Sequence, residues 1–217
     1  MADFCVIGLG MFGRAVALSL ASEGEAVLGV DTNQEEVDRI AAELDTVVCA
    51  DATDEQALRE LRIERIGCCV VAIGAESMEA SILTTTLLRQ LGVPHIVARA
   101  LGPLHARVLR AVGAHRVVSP EWEMGESLAR QLAHPSVLER FDLGDEVEVA
   151  EIEVPQTLVG RTLVELDIRR RFGVSVAAIR RGDRVYATLD GGEKIQAGDV
   201  LVVIGRDEGI ADLAALA

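Results

Sequence analysis

The segment that most restricts the fold lies near the start of the chain. Gly8-Leu9-Gly10-Met11-Phe12-Gly13 has the spacing G-x-G-x-x-G. That spacing alone is common. Here an apolar strand, Phe4-Cys5-Val6-Ile7, leads into it, and a helical stretch beginning Ala15-Val16-Ala17-Leu18 leads out. A strand, glycine turn and helix in that order build a dinucleotide-binding unit. Gly8 permits the tight turn, Gly10 lets the backbone approach a pyrophosphate, and Gly13 allows helix and strand to pack closely. The unpaired N–H groups of the helix start then face the phosphates. Asp31 ends the next strand, eighteen residues beyond Gly13. A carboxylate there can accept hydrogen bonds from both ribose hydroxyls and repels a 2′-phosphate, which disfavours NADP.

The same rhythm continues. Apolar runs at residues 4–8, 26–31, 46–50, 68–73, 95–99 and 116–119 alternate with helix-period segments at 13–22, 34–43, 54–61, 77–91 and 104–112. Strands this apolar have no wet face. The expected fold class is therefore α/β, a Rossmann-like doubly wound parallel sheet with helices on both sides. Pro120 breaks the pattern, a short helix follows at 124–132, and His134-Pro135 ends it. After Leu143-Gly144-Asp145 the texture changes. Residues 147–154 alternate charged and apolar, as a half-exposed strand does, and 174–180 and 200–204 read as further strands. Gly182-Asp183 and Asp190-Gly191-Gly192 are turn chemistry. Two domains follow: residues 1–142 for nucleotide binding and residues 143–217 as a small α+β unit.

Composition narrows the function. Hydrophobic residues make up 50% of the 217 positions but aromatics only 3%, so the cores must be aliphatic. With 35 acidic against 21 basic residues the net charge is −14, which repels phosphate backbones and argues against a nucleic-acid partner. No apolar run reaches the roughly 18 residues of a membrane-spanning helix, and the first residues lack the basic flank and apolar stretch of a signal peptide. Cys5, Cys49, Cys68 and Cys69 sit in apolar stretches without a C-x-x-C. They read as buried small hydrophobes in a reducing cytosol. His95, His105, His115 and His134 are dispersed, and no Ser/Lys/Tyr set for hydride transfer is apparent. A binding module fits better than an enzyme. The alternatives are an NAD-dependent oxidoreductase and an NAD(H) sensor.

Further segments then align. Asp51-Ala52-Thr53-Asp54-Glu55 follows the third strand, and Ala72-Ile73-Gly74-Ala75 follows the fourth and leads into Ser81-Ile82-Leu83-Thr84-Thr85. Gly92-Val93-Pro94-His95-Ile96-Val97-Ala98-Arg99-Ala100 forms the fifth, and Gly113-Ala114-His115-Arg116-Val117-Val118-Ser119-Pro120-Glu121 with Met124-Gly125 closes the domain. Over essentially the whole chain this resembles the cytosolic regulatory subunits of Ktr/Trk-type potassium-uptake systems, built from RCK (regulator of K⁺ conductance) domains. Phe12, Pro120-Glu121 and Met124-Gly125 look like the Ktr branch.

The resemblance implies an N-terminal domain that binds ATP or ADP, with NAD as the alternative. It also implies a homo-oligomer, a dimer-based ring with an octamer as its expected size. That ring would lie under a membrane-embedded potassium translocation subunit, in the cytoplasm and peripheral to the inner face of the membrane. The nucleotide would meet Gly8, Gly10, Met11, Phe12 and Gly13 in the turn, and Asp31 with Asn33 at the ribose. Asp51 and Ala52 would lie at the adenine edge, Gly74 and Ala75 beyond the fourth strand, and Arg99 on the phosphate side. Glu121 looks like the family glutamate that helps hold a cation such as Mg²⁺, Ca²⁺ or Na⁺ beside the terminal phosphates; an ordinary exposed acid is the other reading. In the Ktr branch the C-terminal subdomain can bind cyclic di-AMP between two protomers, here along residues 169–179.

Two positions depart from that pattern. Ktr-type sequences commonly carry arginine after the second glycine, where this chain has Met11, and Arg14 lies on the far side of Gly13. Ser175 stands where cyclic di-AMP binders often carry asparagine, and a plain dimer core is the favoured reading there.

Overall fold

The structure, a computed structural model, describes residues 2–74, 77–133 and 135–216. The chain divides into two compact units, Met1–Glu123 and Met124–Ala217. The first contains β1 (Phe4–Ile7), α1 (Met11–Ser22), β2 (Val27–Asp31), α2 (Gln34–Ile40), β3 (Thr46–Cys49) and α3 (Glu55–Glu60). It continues through β4 (Cys68–Val71), α4 (Met78–Gln90), β5 (His95–Arg99), α5 (Pro103–Ala111), β6 (Arg116–Val118) and the start of α6 (Pro120–Ala133). The strands form one six-stranded sheet in the order β3-β2-β1-β4-β5-β6. Every pair is parallel, with Phe4 opposite both Val27 and Cys68. This is the doubly wound arrangement expected from the alternating pattern, with its switch point between β1 and β4.

Burial on both faces explains the unbroken apolar runs. Cys5, Ile7, Val30, Cys69 and Val71 pack with Leu58, Leu88 and Leu109 on one side. Val6, Val27 and Val70 pack with Ala17, Val37 and Ile40 on the other. Two glycines join β1 to α1 closely. Gly8 has φ +92°, and a Cβ there would lie 2.9 Å from the Ile73 nitrogen. A Cβ on Gly13 would lie 1.8 Å from the Gly8 carbonyl oxygen, so the helix approaches the turn only because that atom is missing. Asn33 caps α2 by accepting the Glu35 N–H at 2.9 Å, and Asp54 caps α3 by accepting the Gln56 N–H at 2.8 Å.

Pro120 opens α6 instead of breaking structure, and the helix begins four residues before the expected 124. Proline is tolerated at a first helical position because its missing N–H would have had no partner there. The cysteine expectation also needs correction. Cys5 and Cys69 are buried and Cys68 half-buried, but Cys49 is exposed, at the end of edge strand β3. A hydrogen bond with Cys69, together with burial, pushes the Cys5 thiol up.

The second unit contains the rest of α6, β7 (Val137–Gly144), β8 (Val147–Glu153), α7 (Leu163–Leu166), α8 (Ile168–Phe172), β9 (Ser175–Arg181), β10 (Arg184–Tyr186), β11 (Asp199–Arg206) and α9 (Asp207–Ala214). Its sheet is antiparallel, in the order β10-β9-β11-β8-β7. A cut between residues 142 and 143 passes through β7. The change of texture near Leu143 coincides with the hairpin turn between β7 and β8, with Gly144, Asp145 and Glu146 all at positive φ. Ile152, Leu166, Ile179, Leu201 and Leu213 form the core. Asp199 is buried at its edge and paired with Arg181 through two bonds of 2.8 and 2.9 Å. The Arg181 guanidinium holds the Asp199 carboxyl below its ordinary value, with burial opposing and the Gln196 N–H assisting. Among the described residues no helix is long and apolar enough to cross a membrane.

Candidate functional site

The C-terminal ends of β1 to β5 frame a cleft of about 730 Å³ at the switch point of the first sheet. Gly8, Gly10, Met11, Asp31, Asn33, Asp51, Ala52, Gly74 and Arg99 all lie on its walls. Residues far apart in sequence meet here because parallel strands deliver their following loops to one edge. Gly13 lies behind the turn against Gly8. Phe12 is not on the wall but lies beneath the Arg99 guanidinium, 5.6 Å from its ring centroid. Ala75 lies outside the described residues.

Asp31 is held rigidly. One carboxylate oxygen accepts the Leu9 N–H at 2.6 Å and the other accepts the Asn33 N–H at 2.8 Å. The acid is thereby tied to the glycine turn itself, with lone pairs left for a diol. Across Gly10 the wall is open: a Cβ at that position would meet nothing within 4 Å. The first N–H groups of α1 have no partners within the helix, and its N-cap makes no side-chain hydrogen bond. Asp51 accepts both the hydroxyl and the N–H of Thr53, at 2.7 and 2.8 Å, and these bonds hold its carboxyl below the ordinary value.

Some of the wall was not foreseen. Buried Thr84 of α4 donates its hydroxyl to the Ala52 carbonyl at 3.2 Å, and Glu36 of α2 also faces the cleft. Thr84 lies in a Ser/Thr-rich stretch of an otherwise apolar helix, a signal that could have marked it. Arg14 is not among the lining residues, and Met11 is 89% exposed at the mouth. Among the described lining residues Arg99 is therefore the only cation, facing Asp31, Glu36 and Asp51 in the same cavity.

Arg99 has a second commitment. Its Nη2 pairs with the Glu121 carboxylate in the first turn of α6, while its buried Nε has no hydrogen-bond partner. Burial raises the Glu121 carboxyl, but its own backbone N–H and the Arg99 guanidinium outweigh that and hold it below its ordinary value. Glu121 lines a separate cleft of about 480 Å³ beside Trp122 and α5. No group of three or more His, Cys, Asp or Glu among the described residues is placed to hold a metal ion.

The histidines are less scattered than their sequence positions imply. His95 and His115 stack at 5.4 Å, and His115 accepts the Ile96 N–H at 3.0 Å. Both lie away from the cleft walls. In the second unit Ser175 is exposed at the start of β9, and Arg171 lies over the Phe172 ring at 4.9 Å.

Fold and cleft together define a dinucleotide-fold domain joined to a small antiparallel domain. Residues 4–120 match the TrkA-N domain and residues 149–217 the TrkA-C domain. The Ktr system potassium uptake protein C of Bacillus subtilis is 37% identical over 203 residues, covering 94% of this chain and 91% of that protein. The Ktr system potassium uptake protein A of the same organism is 35% identical over 208 residues, covering 96% and 93%. The chain belongs to this family, that of the Ktr- and Trk-type potassium-uptake regulatory subunits, as the motif resemblance implied. Among solved structures, the GsuK channel bound to NAD overlays with TM-score 0.67 at 22% identity, covering 99% of this chain and 39% of that one. GsuK bound to ADP overlays with TM-score 0.54 at 21% identity, covering 60% and 34%. The chain thus spans well under half the length of the GsuK chains, and that likeness is one of fold.

Proposed function

We propose that this chain is the nucleotide-sensing regulatory subunit of a potassium-uptake system, with an adenine nucleotide in the cleft of its first unit. One observation carries the reading: Asp31 is locked to the glycine turn by the Leu9 N–H, beside a wall left open at Gly10. A ribose diol on Asp31 and a pyrophosphate along Gly10 and the start of α1 fit that arrangement without moving the backbone. Arg99, the one cation of the described wall, takes the phosphates, and Asp51 with Ala52 takes the adenine edge.

ATP and ADP are the expected ligands. NAD is the second reading, favoured by Met11 in place of an arginine and by the NAD-bound GsuK channel of similar fold. A cation such as Mg²⁺, Ca²⁺ or Na⁺ would rest on Glu121 and on phosphate oxygens, since the chain offers one carboxylate there and no wider ligand cluster among the described residues. The protein acts as a binding module. Its cleft carboxylates Asp31 and Asp51 are engaged in backbone and turn hydrogen bonds that suit recognition.

The regulated partner is a membrane-embedded potassium translocation subunit, which this chain meets from the cytoplasmic side as a homo-oligomer. Met124, Leu128 and Leu132 support assembly: they form one stripe of α6 and are 69%, 52% and 72% exposed. The second unit serves as a dimer contact, and cyclic di-AMP along residues 169–179 is the ligand to test there by equilibrium dialysis. Mass spectrometry of the nucleotide that co-purifies tests the central reading. An adenine nucleotide in stoichiometric amount is expected, and turnover of NADH would favour the oxidoreductase instead. Light scattering that finds a monomer at tens of micromolar would count against the ring.

A further inference from the structure

Arg99 stands at the junction of two systems that cannot both have it. On one side it lines the nucleotide cleft as the only cation of the described wall. On the other its guanidinium is ion-paired with Glu121, in the first turn of the helix that continues from the first unit into the second. The arginine side chain is largely buried, 16% exposed, whereas Glu121 is 60% exposed. The arginine is therefore the fixed member and the glutamate the one that can leave. Phe12 of the glycine turn holds the guanidinium from below, and the unpartnered Nε leaves a donor in reserve. A nucleotide that ends near Gly10 and Gly74 leaves the Glu121 pair untouched. A nucleotide with further phosphates brings two or more negative oxygens into competition with one exposed carboxylate for the same guanidinium.

We infer that Arg99 is the residue that distinguishes phosphorylation state, by exchanging Glu121 for the terminal phosphates of the bound nucleotide. The exchange releases the first turn of α6 from the guanidinium and leaves the half-exposed Glu121 carboxylate free to take another partner. Binding and release are coupled reciprocally: whatever holds Glu121 on Arg99 weakens triphosphate binding, and the triphosphate weakens the ion pair by the same factor. The inference rests on the nucleotide reading of the cleft, and it has a built-in reporter. Trp122, the only tryptophan in the chain, follows Glu121 directly and is 66% exposed.

The test is calorimetry of ATP and AMP in EDTA, with Trp122 emission recorded in parallel, on the full chain and on Glu121→Gln, Arg99→Met and the double variant. Removing the competing carboxylate should tighten ATP by about threefold to tenfold, the range for a partly exposed charge pair, and leave AMP unchanged. Arg99→Met should erase the preference for ATP over AMP, and Glu121→Gln should add nothing in that background. ATP, but not AMP, should shift Trp122 emission in the wild type, and neither should do so in Arg99→Met. Normal ATP binding that is indifferent to Glu121→Gln, or an equal gain in the Arg99→Met background, overturns this inference alone. Failure of both nucleotides to bind any of the four proteins overturns the reading of the cleft and this inference with it.

Discussion

The two units solve the same problem, an aliphatic core with almost no aromatics, in opposite ways. The first covers both faces of a parallel sheet with helices and places its polar groups at one edge, where the loops after the strands converge. The second folds an antiparallel sheet over short helices and keeps a charged pair, Arg181 and Asp199, at the margin of its core. In the first unit integrity depends on the absence of atoms at glycines. The second has a tight glycine too, since a Cβ on Gly209 would lie 2.1 Å from the Phe172 carbonyl oxygen, but its integrity depends as well on a buried carboxylate keeping its partner. The difference predicts that each unit can be damaged separately.

The largest effect should come from Gly13→Ala. The added carbon would lie 1.8 Å from a backbone oxygen that has no room to move. We expect a loss of about 3 kcal/mol, the upper end of what forced overpacking typically costs, confined to the first unit. Hydrogen exchange should show β1, α1 and β4 losing protection while β8, β9 and β11 keep theirs. Equal loss in both units would show that they do not fold as separate bodies.

Asp199→Asn should do the reverse. It removes the main charge partner of Arg181 and leaves only Glu193 among the described residues, at 3.4 Å. Because that arginine is a quarter exposed, the cost should fall below that of a fully buried pair, at about 2–3 kcal/mol. The pH dependence has a definite sign. The folded Asp199 carboxyl lies below its ordinary value, so its contribution is complete above the unfolded value and is lost as pH falls through the folded one. Acid should therefore melt the second unit of the wild type more steeply than that of Asp199→Asn, followed by circular dichroism between neutral pH and pH about 2.

A smaller effect is expected at the start of α7. Thr162 accepts the Glu165 N–H at 3.2 Å and the Glu165 carboxylate accepts the Thr162 N–H at 2.8 Å, a reciprocal capping box. Thr162→Ala should cost about 1 kcal/mol, read as a small shift of the urea midpoint for the second unit only.

The same contrast governs how much could be read from the chain. The strands of the first unit were visible because burial on both faces makes them continuous apolar runs bounded by turns, and the glycine turn with Asp31 located the cleft. The sequence does not show that Asp31 is tied to Leu9, or that Arg99 is shared with Glu121, because both depend on which loops meet at the sheet edge. The second unit was less legible. In β7, Val137, Phe141 and Leu143 are interspersed with charges, a pattern that reads equally as a hinge. Strand β10 has three residues, all exposed. Helices α7 and α8 are too short for a helical period to emerge, although Thr162-Leu163-Val164-Glu165 carried the capping signature that marks the first of them.

The central claim is that the first unit binds an adenine nucleotide across its glycine turn. Gly10→Val tests it most directly, because a Cβ there meets no protein atom within 4 Å and the branched side chain grows into the space where the pyrophosphate would lie. Titration calorimetry with ATP and ADP, paired with thermal melts of both proteins, should show Gly10→Val folded to within about 1 kcal/mol of the wild type. Its affinity for both nucleotides should be weaker by more than about tenfold, a loss of about 1.4 kcal/mol or more. A folded Gly10→Val that binds both nucleotides as tightly as the wild type would contradict the account and place the site elsewhere.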